Sequence, residues 1–391
     1  MPGAERGFIM DFKYTEEQEA TRKMVREFAT NELAPRAEER DRTGQFDYKL
    51  YKRLGDLGIP GMRFPEEFGG TDTSFLTWCL ALEEIGRVDM SLSWTLFVGI
   101  GPARRLVEMG NEEQVERWKD ELIIPTIRGE AIGAGAITEP GAGSDTRGIK
   151  TTAVLDGDEW VINGTKALIT NAGLDICRAA SVVCLTDPAK LEFSLIYVPT
   201  GTPGYTVSAP YRKMGLRSSW TGELYFDNCR VPAGNLLAER GVGRRKTVES
   251  LAIGRIQLAS TAIGLAQACY DEALRYAKER IAFRRPIAQF QHVQALLVDM
   301  ALNLELSRLL RDKACLVVDE GGWIMKYASM VKYFVCESAV KTAKDAVQVF
   351  GGIGFMDEVP VSRYYRDIRS ATLADGTTEI HKWIIAREIG C

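Results

Sequence analysis

The chain has 391 residues, with 49 Lys and Arg against 53 Asp and Glu and a formal net charge of -4. That balance argues against nucleic acid or an anionic membrane as a general partner. The composition, 46% hydrophobic and 26% charged, excludes a disordered polymer, and the length implies two or three domains.

The eight cysteines (Cys79, Cys177, Cys184, Cys229, Cys269, Cys315, Cys336 and Cys391) are scattered and form no C-x-x-C pair, so neither a zinc site nor a redox dithiol is expected. His292 and His381 are the two histidines, too few for histidine-based clusters. No apolar run has membrane length and no secretory h-region follows Met1. Residues before Met10 read as a loose extension, and a cytoplasmic protein is expected.

In chain order, Glu16 to Leu33 has helical spacing (Ala20, Met24, Val25, Phe28, Ala29), with Pro35 expected to end the helix. Further helices are predicted at Tyr48 to Leu57, Ser74 to Gly86, from Ser91 onward, and at Asn111 to Leu122. Near Gly133 the pattern changes to short strands with turns. Lys150 to Leu155 and Glu159 to Asn163 flank Asp156-Gly157-Asp158 as a hairpin; Ala180 to Leu185, Phe193 to Val198 and Glu223 to Cys229 follow. No long helices separate these strands, so the middle domain is expected to be mostly antiparallel. Long apolar helices resume at Leu251 to Arg280, Phe290 to Val318 and Trp323 to Phe350, ending with Thr378 to Ile389. The fold class is α+β multidomain: an N-terminal helical domain (10–130), a central antiparallel β domain (131–240) and a C-terminal four-helix-bundle domain (241–391).

Four stretches could carry chemistry. Ile137-Thr138-Glu139-Pro140-Gly141-Ala142-Gly143-Ser144-Asp145 offers an open glycine backbone for a phosphate or a heterocycle edge, or is simply a turn. Gly351-Gly352-Ile353-Gly354-Phe355 ends a helix and is better read as a C-cap than as a dinucleotide loop. Arg280-Ile281-Ala282-Phe283-Arg284-Arg285 suits a pyrophosphate or a solvated surface. Asp375-Gly376-Thr377 sets a carboxylate beside a glycine and a hydroxyl; Asp375 is either a reacting group or the N-cap of the last helix.

Read together, the order and spacing of these stretches resemble the acyl-CoA dehydrogenase flavoprotein family from Thr15 to Glu388. Further matching marks are Ile162-Asn163-Gly164-Thr165-Lys166, Ile169-Thr170-Asn171, Lys213-Met214-Gly215-Leu216-Arg217-Ser218, Phe226 to Pro232, Gln291 and Gln348. The resemblance implies non-covalent FAD, an acyl-CoA substrate, an electron-transfer flavoprotein as acceptor, and a homotetramer. It implies that Ile137 and Thr138 meet the flavin pyrimidine edge, and that Leu168 and Thr170 lie by the reactive ring. Ser144 falls at the acyl-CoA or the flavin phosphates. Arg280, Phe283, Gln291, Gln348 and Gly352 hold the FAD of a neighbouring subunit, while Thr377 and Glu379 contact its adenosine diphosphate part. Arg255 lies near the CoA nucleotide, and Gly376 borders the substrate. Asp375 is the base that takes the thioester α-proton while its own N–H steadies the thioester oxygen.

Three departures from the family pattern stand out. Asp375 replaces the usual glutamate, and a displacement of about 1 Å at a reacting group can cost on the order of a hundredfold in rate. Ala374 replaces a bulky neighbour and Leu168 a tryptophan. With Ser93, Trp94 and Phe97 expected as the facing wall, the pocket is most like those of the alicyclic members, which act on cyclohexane-1-carboxyl-CoA. A short branched acyl-CoA or a ring-unsaturated relative is the alternative. Asp89 is an N-cap or a second carboxylate near the ring. Readings from other classes are a nitroalkane-type flavin oxidase and an idle flavin-bound scaffold.

Overall fold

The computed structural model describes residues 13–391. Seven helices open the chain: α1 (Glu16–Phe28), α2 (Ala37–Thr43), α3 (Tyr48–Asp56), α4 (Phe75–Gly86), α5 (Met90–Met109), α6 (Glu112–Trp118) and α7 (Ile124–Ile127). Local chemistry sets their starts. Thr15 caps α1 in a reciprocal capping box with Gln18, Ser74 caps α4, and Asn111 with Gln114 repeats the box at α6. Pro35 does not act as the expected stop. The α1 helix passes through a π turn at Ala29–Leu33 and a 3-10 turn at Ala34–Arg36, and α2 follows. Proline is tolerated there because a first-turn N–H has no intrahelical acceptor.

The middle segment holds β1 (Ile132–Ala136), β2 (Thr152–Asp156), β3 (Glu159–Thr170), β4 (Cys177–Asp187), β5 (Glu192–Pro199), β6 (Tyr205–Val207), β7 (Thr221–Pro232) and β8 (Leu236–Leu237). They form one sheet in the order β6-β7-β3-β2-β4-β5-β8, with β1 on β4. The predicted hairpin is β2–β3, in register from Thr152 with Asn163 to Asp156 with Glu159. Two pairings depart from the antiparallel expectation: β1 runs parallel to β4, and β2 meets β4 in parallel at Thr152 and Leu185. No tight turn joins either pair, so the local rule that makes hairpins antiparallel does not act on them.

The C-terminal helices are α8 (Gly243–Glu279), α9 (Gln291–Asp319), α10 (Met325–Phe350), α11 (Pro360–Ile368) and α12 (Thr378–Glu388); a small ribbon, β9 (Ile281–Ala282) with β10 (Arg285–Pro286), links α8 to α9. The α10 helix packs on α8, α9 and α12, and α4 crosses onto α8. A nearly continuous run from Ile256 to Ala266 is buried, because α8 has neighbours on all sides. Gly351 closes α10 at φ +66°, so this glycine stretch is a helix end as expected. Among the described residues no helix is long and apolar enough to cross a membrane, and no cluster of metal ligands occurs.

Polar contacts lock the three segments together near α11. Arg366 forks onto Asp41, at 2.5 and 3.1 Å, and Arg217 lies 3.8 Å from the same carboxylate. Buried Asp367 accepts from the Leu216 N–H at 2.6 Å. Burial pushes the Asp367 carboxyl up to about 7, with the Leu216 hydrogen bond opposing. Between about pH 4 and pH 7 the folded chain therefore holds a proton that the unfolded chain has released, so this group makes stability fall as pH rises. The variant Asp367→Asn is expected to gain thermal stability relative to the parent steadily across that interval. A melting-temperature difference that stays flat from pH 4 to 7 would contradict this.

Candidate active site

The chain leaves the 3-10 turn Arg369–Thr372 and reverses direction before α12. Asp375 has φ +54° and Gly376 φ +103°, two successive residues with positive φ. That conformation is routine for glycine and uncommon for other residues. Thr377, not Asp375, is the N-cap of α12, its side chain accepting from Ile380 N–H at 3.5 Å. The capping alternative for Asp375 is thereby overturned: a residue with αL backbone two positions before the helix does not cap it.

Two buried cations hold this reversal. Arg255 Nε on α8 donates to the Asp375 carbonyl at 3.1 Å. Lys332 Nζ on α10 donates to the Gly376 carbonyl, also at 3.1 Å. Burial lifts the Asp375 carboxyl above the usual range, while the charges of Lys332 and Arg255 pull it back. His381, fully buried on α12, turns its ring nitrogens to the Asp375 and Gly376 backbone without reaching hydrogen-bond geometry. Burial, then the nearby Arg255 and Lys332 charges, press its pKa down to about 3, so the ring is neutral. Gly254 lies directly against the acid; a Cβ there would stand 3.1 Å from Asp375 Oδ2.

A second group gathers on the sheet. The segment Ile137–Glu139 runs beside β3: Ala167 N–H donates to the Thr138 carbonyl at 2.9 Å and Lys166 Nζ to the Ile137 carbonyl at 3.0 Å. Lys166 is anchored by Glu139 at 2.9 Å, and Glu139 also accepts from the Lys150 and Thr151 amides. This buried pair fixes Ile137 and Thr138 beside Lys166 and Ala167, on the strand that also carries Leu168 and Thr170. Leu168 has φ +59° and stands 64% exposed, an apolar side chain held out of the sheet. Ser144 is exposed on the loop beyond, where Gly141 and Gly143 have nothing within contact of a Cβ.

A third group lies at the far end of the helical bundle. Arg280 follows α8, Phe283 tips the β9–β10 ribbon, Gln291 starts α9, and Gln348 and Gly352 close α10. Tyr276 and Phe350 stack at 4.2 Å, tying the ends of α8 and α10 together. Phe283 is 90% exposed with φ +49°. Glu379 is exposed in the first turn of α12, one turn on from Asp375.

The expected acyl wall is partly revised. Ser93 is fully buried between helices, its hydroxyl on Thr261 Oγ1 at 2.8 Å and the Leu82 carbonyl at 3.2 Å, so it does not face a ligand. Trp94 and Phe97 are buried and in ring contact at 5.6 Å. Asp89 is the N-cap of α5, accepting from Leu92 N–H at 3.0 Å, and its other oxygen pairs with buried Arg40 at 2.8 Å. With both oxygens committed it is not a second base. Arg255 also differs from expectation: it is buried beneath the Asp375 loop, with Nη1 3.4 Å from Met325 Sδ, and does not reach outward to a nucleotide. Met325 in turn lines a cavity of about 380 Å³ with Met109, Lys246, Glu249, Ile253 and Trp323.

Lys332, His381 and Gly254 were not singled out from the sequence. Lys332 had a legible signal, a lone charge on the buried face of an apolar helix, in line with Ala328, Val335, Cys336 and Ala339.

The residues present fit FAD. An open glycine backbone can meet phosphate or a ring edge, Thr138 is bonded to Ala167 on the strand that ends at Thr170, and Leu168 offers an exposed apolar face. Models of three domains match in order: acyl-CoA dehydrogenase N-terminal domain at residues 15–123, middle domain at 134–229 and C-terminal domain at 241–390. The chain is 41% identical over 385 residues to the probable acyl-CoA dehydrogenase YngJ of Bacillus subtilis (strain 168), covering 97% of this chain and 100% of that one. Butyryl-CoA dehydrogenase from Megasphaera elsdenii has a similar structure, with a TM-score of 0.93 at 34% identity, covering 97% and 100%. PigA with FAD and proline is similar at a TM-score of 0.93 and 28% identity, covering 97% and 99%. The chain belongs to the acyl-CoA dehydrogenase family and is an FAD-dependent oxidoreductase with that family's helical, β, helical architecture.

Proposed function

We propose that this chain desaturates a compact acyl-CoA between its α and β carbons, with Asp375 as the base. The observation that carries the reading is the Asp375–Gly376 turn, held at positive φ by Arg255 and Lys332 on its two carbonyls, with a carboxyl that burial destabilises and the nearby charges of Lys332 and Arg255 favour in its charged form. Thioester α-protons are weakly acidic, so a base raised above the ordinary carboxylate range and fixed in place suits the task. The Asp375 N–H is the chain's own donor for the thioester oxygen, where charge builds as the proton leaves. Bound FAD supplies the acceptor for the β-hydride. The electrons then pass to an electron-transfer flavoprotein.

The compact acyl group follows from Ala374, a methyl where bulk would crowd the reacting carbons, and from Trp94 and Phe97 as aromatic wall. Cyclohexane-1-carboxyl-CoA, giving cyclohex-1-ene-1-carboxyl-CoA, is the ring-shaped candidate. The likeness to a butyryl-CoA dehydrogenase supports a short open chain as its competitor.

A homotetramer completes the reading. Arg280 lies about 37 Å along α8 from Arg255, too far for one FAD beside Asp375 to be held by both ends of the same chain. Val298, Leu302, Leu306, Leu309 and Leu316 also form an exposed apolar stripe on α9, the kind of face that another subunit covers.

Asp375→Asn is expected to bind acyl-CoA and abolish anaerobic bleaching of the flavin; retained bleaching would remove Asp375 from the role. Among butyryl-, isobutyryl- and cyclohexane-carboxyl-CoA, the compound that bleaches fastest identifies the acyl group. Bleaching by nitroalkanes alone, with peroxide formed in air, would select the oxidase. Bleaching by none of these compounds would favour the scaffold. Gly254→Ala adds a methyl against Asp375 Oδ2 but improves the intrinsic helix propensity of α8 by about 1 kcal/mol. Turnover should therefore fall about tenfold or more without loss of FAD; unchanged turnover would show that the acid tolerates displacement there. Sedimentation should give four times the chain mass of 43.4 kDa, and a monomer retaining FAD would refute the shared site.

A further inference from the structure

We propose that Lys332 is a positioning residue for the base, pinning the one glycine about which the Asp375 loop could swing. This rests on the assignment of Asp375 above. Gly376 is the flexible point of the loop: at φ +103° it has a freedom that its neighbours lack. Two peptide planes meet at it. The plane before Gly376 carries the Asp375 carbonyl, bonded to Arg255 at 3.1 Å; the plane after carries the Gly376 carbonyl, bonded to Lys332 at 3.1 Å. Because a peptide unit is planar and trans, fixing a carbonyl also fixes the N–H on its opposite side. With both planes held, φ and ψ of Gly376 are no longer free, and the carboxylate one residue back keeps its place.

The two anchors come from different helices, Arg255 from α8 and Lys332 from α10, and both are buried, Lys332 at 1% exposure. A hydrogen bond from a charged donor in such surroundings is stronger than one between neutral groups. Lys332 donates to the Gly376 carbonyl and has no carboxylate at ion-pairing distance among the described residues. Its partner is a backbone oxygen, an unusual commitment for a buried lysine whose purpose is stability alone. The other ionisable groups around the loop are Arg255 from α8, neutral His381 from α12, Cys336 from α10, whose thiol burial pushes up to about 11 so that it stays neutral, and Glu337 from α10, which takes the Thr378 hydroxyl. None of these can replace the Lys332 contact. His381 is neutral and does not reach hydrogen-bond geometry to the loop, Arg255 is engaged on the preceding carbonyl, and Glu337 has the wrong charge for a carbonyl oxygen.

The test compares Lys332→Met, Lys332→Gln and Lys332→Arg in the FAD-loaded enzyme. Lys332→Met is expected to lower kcat about ten- to a hundredfold with KM within about threefold, since the loop serves the reacting geometry more than substrate binding. Removing the cation also takes away a stabiliser of the Asp375 carboxylate, so the ionisation seen in kcat/KM should move to higher pH. Lys332→Arg should recover part of kcat and of the profile. Independently of activity, amide hydrogen exchange over Asp375 to Thr378 should quicken in Lys332→Gln while α8 and the core of α10 stay protected. An unchanged exchange pattern with unchanged kcat overturns the proposal. A rise in KM alone assigns Lys332 to substrate binding instead. If Lys332→Met does not fold, the Lys332→Gln exchange pattern decides. If exchange quickens as expected but Asp375→Asn remains active, the clamp stands and the assignment of Asp375 as base fails.

Discussion

Two hydrogen bonds from buried cations to successive carbonyls, Arg255 to Asp375 and Lys332 to Gly376, are the constraint on which the site depends. A short acid gains reach only if its backbone is brought close and kept there, and the left-handed turn at Asp375 does this. Such a conformation persists where surrounding structure over-determines it. Here the surroundings are the first half of α8, the first half of α10 and the start of α12, so two long helices hold the Asp375 loop without belonging to it.

The same economy governs the β domain. Ile137 and Thr138, the residues expected to face the flavin, hang on a segment that belongs to no hairpin, the stretch after β1, and that stretch is tied down by the Glu139–Lys166 pair. A buried ion pair contributes little net stability when compared with apolar side chains of the same size. Its effect here is on placement: Lys166 also binds the Ile137 carbonyl, and Glu139 gathers two amides from the far side of the loop. At the α11 junction, Asp41, Leu216 and Asp367 bring the three domains into one polar knot. The position of the sheet relative to Asp375 is thereby set by contacts that lie outside the reacting pocket.

Much of the proposed site stands out in the sequence because its residues are marked by type. Asp375-Gly376-Thr377, the glycines after Ile137, and the arginines at Arg280 are combinations that ordinary helices and strands do not call for. Helix starts were legible for a similar reason, since Thr15, Ser74 and Asn111 are caps with a local mechanism. Readings failed where one residue type serves two purposes. Ser93 had the position of a pocket residue and proved to be a hydroxyl bridge between helices, and Pro35 entered a turn it was expected to end. In both cases the deciding partner is remote in sequence or is a change of helix type that periodicity does not record.

By itself the sequence determined the order of helical, β and helical segments, through local spacing, and the family with its FAD, through the likeness that many ordered motifs carry together; that likeness also marked Asp375 as the expected base. The tertiary structure decided three further points. Asp375 is held in a left-handed turn and Thr377 caps the helix. Asp89 is consumed by Arg40 and its own helix end. Arg255 faces inward, where Lys332 joins it beneath the loop. These depend on which side chains meet across distances of tens to hundreds of residues. Pattern and propensity are properties of neighbours along the chain, and the clamp on Gly376 exists only once α8, α10 and α12 have packed.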